Sequence, residues 1–590
     1  MEFFFYEHHS RKKMKKRWKK HLEHTLLVET LSNELEIDPF ITRMLTQRGI
    51  RTAKAARNFL SPTLDRLHDP FKMKDMSEAV NRLDFAIQNG DHILLYGDYD
   101  VDGTTSVAMM YQFLKNYTDD ITCYIPDRYR EGYGISKIGI DFATEHKVDL
   151  IIAMDCGIKA IDSIEYANEK NIDCIICDHH LPGSKLPEAV AVLDPLRSDC
   201  QYPDKRLCGV GVSFKLVQAY VQFRKEDPKV WHSILDLVAI GTACDIVPAM
   251  GENRILLKAG LERINNQLRP SLKAILDNRK KENELTVSDL VFGVGPVLNA
   301  AGRLDDALLA VDLLLENDPL KAEQKASVLH HKNEERKFLD QQILAEAQQK
   351  WEDSPEFGTA NSIVLFEPHW HRGVIGIVAS RMVEKFQRPV ILLTEHEGNL
   401  VGSARSVSNY NIHNGIATCS EWLENFGGHQ FAAGLTLKRK KLKTFQNAFE
   451  EAVSQSIKPL QKSPMIPVEM VLPLNKINLK LWEQIQQLAP FGPGNRNPVF
   501  VSKNLLDTEG TYLLKNNHLK IAVRTPDNSE VINGIGFGLG ERFFELPEGS
   551  FDLCYTLEKN TWRGKSSIQL NVKDLRSTKN HQFVKSIQLT

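Results

Sequence analysis

Gly97-Asp98-Tyr99-Asp100-Val101-Asp102-Gly103, Met154-Asp155-Cys156-Gly157 and Cys177-Asp178-His179-His180 are three short bursts of carboxylate and imidazole, each placed where an apolar run gives way to a loop. The run His92–Tyr96 precedes the first, Asp149–Met154 the second and Asp173–Cys177 the third, with helical stretches between them. Strands that alternate with helices predict a parallel sheet, and the ligands of such a sheet collect beyond the carboxyl ends of its strands. The three bursts are therefore expected along one edge of one α/β domain.

Asp98, Asp100 and Asp102 alternate, and like charges held this close destabilise one another unless cations or protons neutralise them. Oxygen ligands joined by a few imidazoles suit manganese or magnesium better than zinc, because no thiolate joins them. A lone Asp-x-Asp-x-Asp-Gly would read as an acidic surface loop. An EF-hand loop is the second alternative, but its twelfth position, where a bidentate glutamate belongs, is Met109. Recurrence at three strand ends favours a metal centre. A fourth candidate, Asp245, lies in Gly241-Thr242-Ala243-Cys244-Asp245-Ile246-Val247-Pro248, just after the apolar helical stretch Trp231–Ile240. By itself it would read as a helix-terminal aspartate.

The 590 residues suffice for about three to four domains, each with its own core. A net charge of -2 excludes a uniformly basic nucleic-acid coat, so any such path would be a local basic groove. Nine cysteines spread through strands and helices read as reduced thiols in a cytoplasmic protein. Cys174 and Cys177 lack the second pair that a zinc site needs. No apolar run approaches the ~20 residues that span a bilayer. From Arg11 to Lys20 eight of ten residues are basic, but His21, Glu23 and His24 break the apolar run a secretory signal would need. That segment reads as a solvated tail upstream of a true start at Met14, with non-specific attraction to nucleic acid as the alternative.

Residues 1–50 are the basic tail and helical lead-in, and 51–318 a catalytic α/β domain with a helical extension from Arg254 to Leu315. Residues 319–352 are rich in Lys, Glu, Gln, Ala and Leu without Gly or internal Pro, which predicts one long connecting helix. A second α/β domain over 353–460 starts with the strand Ser362–Phe366, the helix Val374–Phe386 and the strand Pro389–Thr394. It contains Gly402-Ser403-Ala404-Arg405-Ser406 and Gly427-Gly428-His429, whose small residues permit close backbone approach to a phosphate. A glycine-rich turn with a structural histidine would look the same. Residues 461–590 change to short strands, about Tyr512–Leu514, His518–Arg524, Val531–Phe537, Phe551–Glu558 and Ser567–Val572, which fit a small barrel. Tyr512, Lys520, Trp562 and Arg563 would suit stacking on bases and contact with phosphates, or else core and solvated surface.

The segments DYDVDG, DCG, DHH and GTACDIVP, in this order, resemble the four motifs of the DHH phosphoesterase superfamily. Ile125–Gly134, Asn299–Leu304 and Pro490–Gly494 resemble its bacterial single-strand-specific exonuclease branch over roughly Thr52 to Asp574. The resemblance implies an α/β fold: a DHH domain and a DHH-associated domain joined by a long helix, plus a C-terminal OB-type β-barrel. It implies 5′ to 3′ hydrolysis of single-stranded DNA to 5′-mononucleotides in recombination and repair, with two divalent ions, Mn2+ preferred or Mg2+. Asp98, Asp100 and Asp155 would hold one ion, and Asp102, Asp155, His179 and Asp245 the other. The related pyrophosphatases carry a histidine at the position of Asp98, so the all-aspartate motif favours the nuclease. His180 would contact the scissile phosphate or assist proton transfer. Arg128, Ser403 and Arg405 match a 5′-phosphate pocket, and Arg303 and His429 match contacts to the substrate backbone. The resemblance further implies a monomer, and raises a RecQ-type helicase and a single-strand-binding protein as partners. Competing readings are an oligonucleotide or cyclic-dinucleotide phosphodiesterase of the superfamily, whose members generally lack the barrel, and a non-catalytic DNA-binding scaffold, whose members have lost ligands.

Overall fold

The structure, a computed structural model, describes residues 16–20, 25–276, 284–408, 410–457, 465–546, 549–562 and 564–577. Two compact units divide the chain: Leu22–Glu334 with Val471–Thr590, and Met1–His21 with Glu335–Met470. The boundary falls inside a single helix, Pro319–Glu352, where the sequence predicts one.

In the first unit five parallel strands, β1 (Ile93–Gly97), β2 (Ile121–Tyr124), β3 (Leu150–Met154), β4 (Asp173–Cys177) and β5 (Ala191–Leu193), lie in the order β2-β1-β3-β4-β5. The strands Ile-Leu-Leu-Tyr-Gly (β1) and Leu-Ile-Ile-Ala-Met (β3) are buried throughout, as a parallel sheet covered on both faces requires. Leu95, Ile152 and Ile175 enter the core on one face, and Leu94, Ile151 and Ile176 the core on the other. The order reverses between β1 and β3, which opens a crevice at their carboxyl ends. β2 and β5, short and without a following acidic burst of the same density, escape the sequence reading.

Helix Val101–Leu114 starts within the first burst and is buried along most of its length, packed by helices Gly209–Arg224 and Leu235–Cys244. The expected helical extension is broken into separate helices, among them Gly251–Asn266, Pro270–Leu276 and Gly295–Leu304.

The C-terminal strands of this unit, β11 (Phe500–Asp507), β12 (His518–Arg524), β13 (Ile532–Gly536), β14 (Phe551–Trp562) and β15 (Lys565–Ser577), pair β11-β14-β15-β13-β12. A further pairing of Leu506 with Arg524 and Asp507 with Val523 joins β11 to β12 and closes the barrel. Tyr512 is exposed with the Lys520 ammonium 5.1 Å from its ring centre, while Arg563 and the side chain of Trp562 lie outside the described residues.

In the second unit β6 (Ile363–Phe366), β7 (Val390–His396), β8 (Asn399–Arg405), β9 (Asn425–Gly428) and β10 (Ala432–Leu437) are ordered β9-β10-β8-β7-β6, with only β6 and β7 parallel. Arg17–Lys20 corrects the solvated-tail reading in part: it is a strand pairing in parallel with Met465–Val468, although the Arg17, Lys19 and Lys20 side chains stay exposed. Arg11 to Lys15 lie outside the described residues.

Arg254 ties the segment before the barrel to the catalytic helices. It is 1% exposed, and its guanidinium donates to the carbonyls of Phe59 (2.8 Å), Leu488 (2.9 Å), Pro490 (3.2 Å) and Ala489 (2.7 Å) while stacking 3.8 Å from the Phe59 ring centre. Asn495 donates to Leu488 O and Pro490 O and accepts from Arg48 Nε at 2.6 Å. Buried carbonyls stripped of a donor cost about 1–3 kcal/mol each. Arg254→Met is therefore expected to destabilise this unit by at least about 3 kcal/mol, read as a lower urea midpoint. An unchanged midpoint would show that the four bonds add nothing.

Candidate metal centre

Strand register brings the first carboxylates of the centre together. Gly97 pairs with Met154, Met154 with Cys177 and Cys177 with Leu193, so the next residues, Asp98, Asp155, Asp178 and Asp194, follow four neighbouring strand ends in a row. Asp98, Asp102, Asp155 and Asp178 are all buried.

Asp100 caps helix Val101–Leu114, accepting from the amides of Asp102 (2.8 Å) and Gly103 (3.2 Å), which ties the first burst to the positive end of a helix. Asp102 accepts from two more amides, Gly209 N at 2.6 Å and Val210 N at 2.9 Å, at the start of helix Gly209–Arg224. Glycine is required at 209 because a Cβ there would stand 2.5 Å from Asp155 Cβ and 2.6 Å from its Oδ1. Asp155 itself adopts φ 62°, a left-handed conformation that ordinary side chains rarely take, and its amide donates to Cys177 O at 2.9 Å.

Around this frame one ligand atom each from Asp98, Asp100 and Asp155 lie within 4.8 Å of one another, as do those of Asp102, His179 and Asp245, and those of Asp155, His179 and His180. His179 Nε2 is 3.1 Å from Asp155 Oδ1, 3.7 Å from Asp245 Oδ2 and 3.9 Å from Asp102 Oδ2. Asp98 Oδ1, Asp155 Oδ1 and Asp245 Oδ2 are buried with no hydrogen-bond donor among the described residues. Buried carboxylate oxygens left this way are costly, and oxygen donors with imidazole nitrogens at such separations fit hard divalent cations.

The electrostatics agree. Burial, and then the Asp100 charge, raise the Asp98 carboxyl well above its ordinary range and push Asp102 up to about 7. Burial followed by the neighbouring carboxylates, Asp102 foremost, raises Asp155 and Asp245 well above theirs. Asp178 behaves oppositely. Burial would raise it, but the hydrogen bond and charge of His180 and the Ile158 amide outweigh burial and hold it down to about 2. Its Oδ1 lies 2.7 Å from His180 Nδ1 and accepts from the amides of His179 and His180, while Oδ2 accepts from Ile158 N at 2.9 Å. Asp178 thus orients both histidines.

Arg128 and Arg303 lie in the same unit. The Arg128 guanidinium sits 4.6 Å from the Tyr99 ring centre, and the carbonyl of Arg303 accepts from the Tyr129 hydroxyl. Ser403, Arg405 and His429 belong to the other unit. Arg405 Nη1 donates to Ser403 Oγ at 2.9 Å, beside Gly376 in the first turn of helix Ile375–Phe386. His429 N donates to Ala432 O at 2.8 Å in the turn between β9 and β10. The sequence reading missed Tyr133, Gly209 and Asp194. For Gly209 a signal existed, the small residues of Gly209-Val210-Gly211 at a helix start.

A doubly covered parallel sheet with clustered aspartates and histidines at its switch point, followed by a second mixed sheet and a closed barrel, defines a DHH-type phosphoesterase architecture. Family profiles match accordingly: the DHH family N-terminal domain over residues 92–242, the DHHA1 domain over 359–455 and the RecJ OB domain over 468–574. The single-stranded-DNA-specific exonuclease RecJ of Bacillus subtilis is 35% identical over 93% of this chain and 69% of its own length. That of Escherichia coli is 32% identical over 93% and 97%. The crystal structure of RecJ in complex with Mn2+ from Thermus thermophilus superposes with a TM-score of 0.81 at 27% identity, covering 95% of this chain and 80% of that one. The chain belongs to the RecJ family.

The raised carboxyls make a pH prediction. Their folded forms hold protons that the unfolded chain releases above about pH 4, so native-state proton binding exceeds unfolded-state binding and stability falls as pH rises. Asp102, at about 7, loses its contribution across the window from about pH 4 to 7, and Asp98, Asp155 and Asp245 extend it upward. Melting temperatures in EDTA should drop from pH 5 to pH 8, and the upshift on adding Mn2+ should grow over the same range. A metal-free melting temperature that is flat or rising would contradict the cluster's electrostatics.

Proposed function

We propose that this protein is a metal-dependent, single-strand-specific DNA exonuclease that degrades 5′ to 3′ and releases 5′-mononucleotides in recombination and repair, with Mn2+ preferred or Mg2+. The observation that carries the reading is the convergence of Asp98, Asp100, Asp102, Asp155, His179 and Asp245 around two groups of ligand atoms. It is supported by the RecJ relatives, which are single-stranded-DNA-specific exonucleases, and by the Mn2+-bound relative.

Asp98, Asp100 and Asp155 would hold one cation, and Asp102, His179 and Asp245 the second, with Asp155 shared. Two such ions neutralise charge on the attacked phosphate, supply hydroxide near neutral pH and stabilise the leaving oxygen. The chain's own part is positioning. Asp178 fixes the His180 ring through Nδ1, so His180 can meet the scissile phosphate or pass a proton at a set orientation. Polarity would come from the terminal phosphate, whose extra charge suits the Arg405 and Ser403 pair at a helix N-terminus; Arg128, in the other unit, would be a further phosphate ligand. Arg303 and His429 would grip the backbone, and the barrel would hold the strand by stacking and phosphate contacts. The barrel and the full ligand set also speak against a dinucleotide phosphodiesterase and a silent scaffold. No helix among the described residues is long and apolar enough to cross a membrane. All nine cysteines are free thiols, which supports a cytoplasmic setting; a RecQ-type helicase, a single-strand-binding protein and a monomeric state complete the proposal.

Asp155→Ala is expected to lower Mn2+-dependent release of nucleotides from end-labelled single-stranded DNA by at least about 10³-fold while single-strand binding persists. Normal turnover would refute the shared ligand. Arg405→Ala should lose most of the preference for a 5′-phosphorylated over a 5′-hydroxyl end in competition. An unchanged preference would remove it from the pocket.

A further inference from the structure

We infer that Tyr133 is a positioning group for the metal centre, its hydroxyl holding the backbone of Asp155 by a hydrogen bond while the side chain packs against the ring of His180. The inference rests on reading the cluster as a metal centre.

Tyr133 reaches the site from the loop that follows β2. Gly132 and Gly134, on either side of it, have φ of 87° and 88°, so the chain turns sharply at both and the side chain is thrust forward between them. The loop is pinned from within. Glu131 accepts from Asp127 N at 2.7 Å, from Tyr124 Oη at 3.0 Å and from Ser136 Oγ, while Tyr96 in β1 donates to Gly134 O at 3.0 Å and accepts from Ser136 N at 3.2 Å. Tyr133 is therefore held by a carboxylate and by the sheet itself, although the residue is 52% exposed.

Its hydroxyl donates to the carbonyl of Asp155 at 2.8 Å and stands 3.1 Å from His180 Nδ1. Asp155 is the residue whose left-handed backbone aims its carboxylate, and the Tyr133 bond holds that peptide from the carbonyl side while Cys177 O holds it through the amide. The Nδ1 proton of His180 goes to Asp178 and the Tyr133 proton to Asp155 O, so the phenol oxygen packs against Nδ1 where the second and third bursts meet. The rings of Tyr133 and His180 meet edge to face at 5.6 Å, which fixes the imidazole plane. Outer partners that orient ligands typically change metal affinity or activity by about 10- to 100-fold when removed.

Tyr133→Phe deletes the hydroxyl and keeps the ring. Expected are an approximately tenfold weaker binding of Mn2+ to the DNA-free protein, read from the free-ion electron paramagnetic resonance signal, and a similar loss of kcat, with KM for 5′-phosphorylated single-stranded DNA unchanged. Glu131→Gln should move both in the same direction by a smaller factor, and melting temperatures within about 1 °C of the parent verify the fold. Mn2+ affinity and kcat both within twofold of the parent would overturn the inference, as would a higher KM alone, which would make Tyr133 a DNA contact. If the parent binds Mn2+ but releases no nucleotide, the proposed nuclease activity fails while the Mn2+ difference still supports the clamp. If the parent binds no Mn2+, both fall.

Discussion

Mutual repulsion among carboxylates at the carboxyl edge of the first sheet is the constraint that shapes this molecule. Asp98, Asp155, Asp178 and Asp194 follow adjacent strand ends, and Asp100, Asp102 and Asp245 are brought in from helix ends. Several of these carboxylates are met by backbone amides. Asp100 has helix amides, Asp102 has the first amides of another helix, and Asp178 has two amides, a third from Ile158 and the His180 ring. Asp194 has one amide, from Leu196 at 2.6 Å, and burial pushes its carboxyl up to about 7. Buried oxygens without a donor remain on Asp98, Asp155 and Asp245, and on Asp194 at the next strand end; the first three converge with other ligand atoms and mark where external positive charge belongs.

This arrangement explains which parts of the chain were legible beforehand. β1, β3 and β4 announce themselves as apolar runs ending in acid, because burial on both faces demands unbroken hydrophobicity and function demands charge at the exit. The long helix was legible from propensity alone, since 34 residues without Gly or internal Pro leave the backbone little alternative. Arg17–Lys20 resisted the same logic. Its composition is that of a solvated tail, and its strand state comes from pairing with Met465–Val468, more than 400 residues away in sequence, which no local pattern encodes. β11, Phe500–Asp507, escaped because a register shift between Ser502 and Leu505, with Asn504 at φ 54°, breaks the alternation that would have revealed it.

The site shows the same division. Ligands were legible because their chemistry is rare and repeated. Their supports were not, because Gly209 and Tyr133 are ordinary residues whose importance lies in where tertiary structure places them. A glycine at a helix start reads as a weak helix former until Asp155 is seen packed against it. Asp178 shows the opposite error to avoid: it belongs to the most recognisable burst of all, yet its oxygens are consumed by three amides and an imidazole, so its motif position overstates its availability to a cation.

The barrel's attachment bears on the same centre. Ala249, four residues beyond Asp245, donates its amide to Pro493 O at 2.7 Å, and Pro248 and Met250 flank the space above Gly494. Asn253 reaches back to Pro248 O, and Arg254 collects the carbonyls of residues 488–490. Between these anchors and the end of helix Leu235–Cys244, the chain turns through Ile246 at φ 66°, a conformation that a β-branched residue adopts only under compulsion. Asp245 is therefore suspended between a buried helix on one side and the entrance of the barrel on the other. A strained link of this kind stores about 1–3 kcal/mol and persists only where its surroundings over-determine it. The segment before the barrel meets this chain just beyond that link, at Pro248, Ala249 and Met250, so the last ligand lies within five residues of the barrel's attachment.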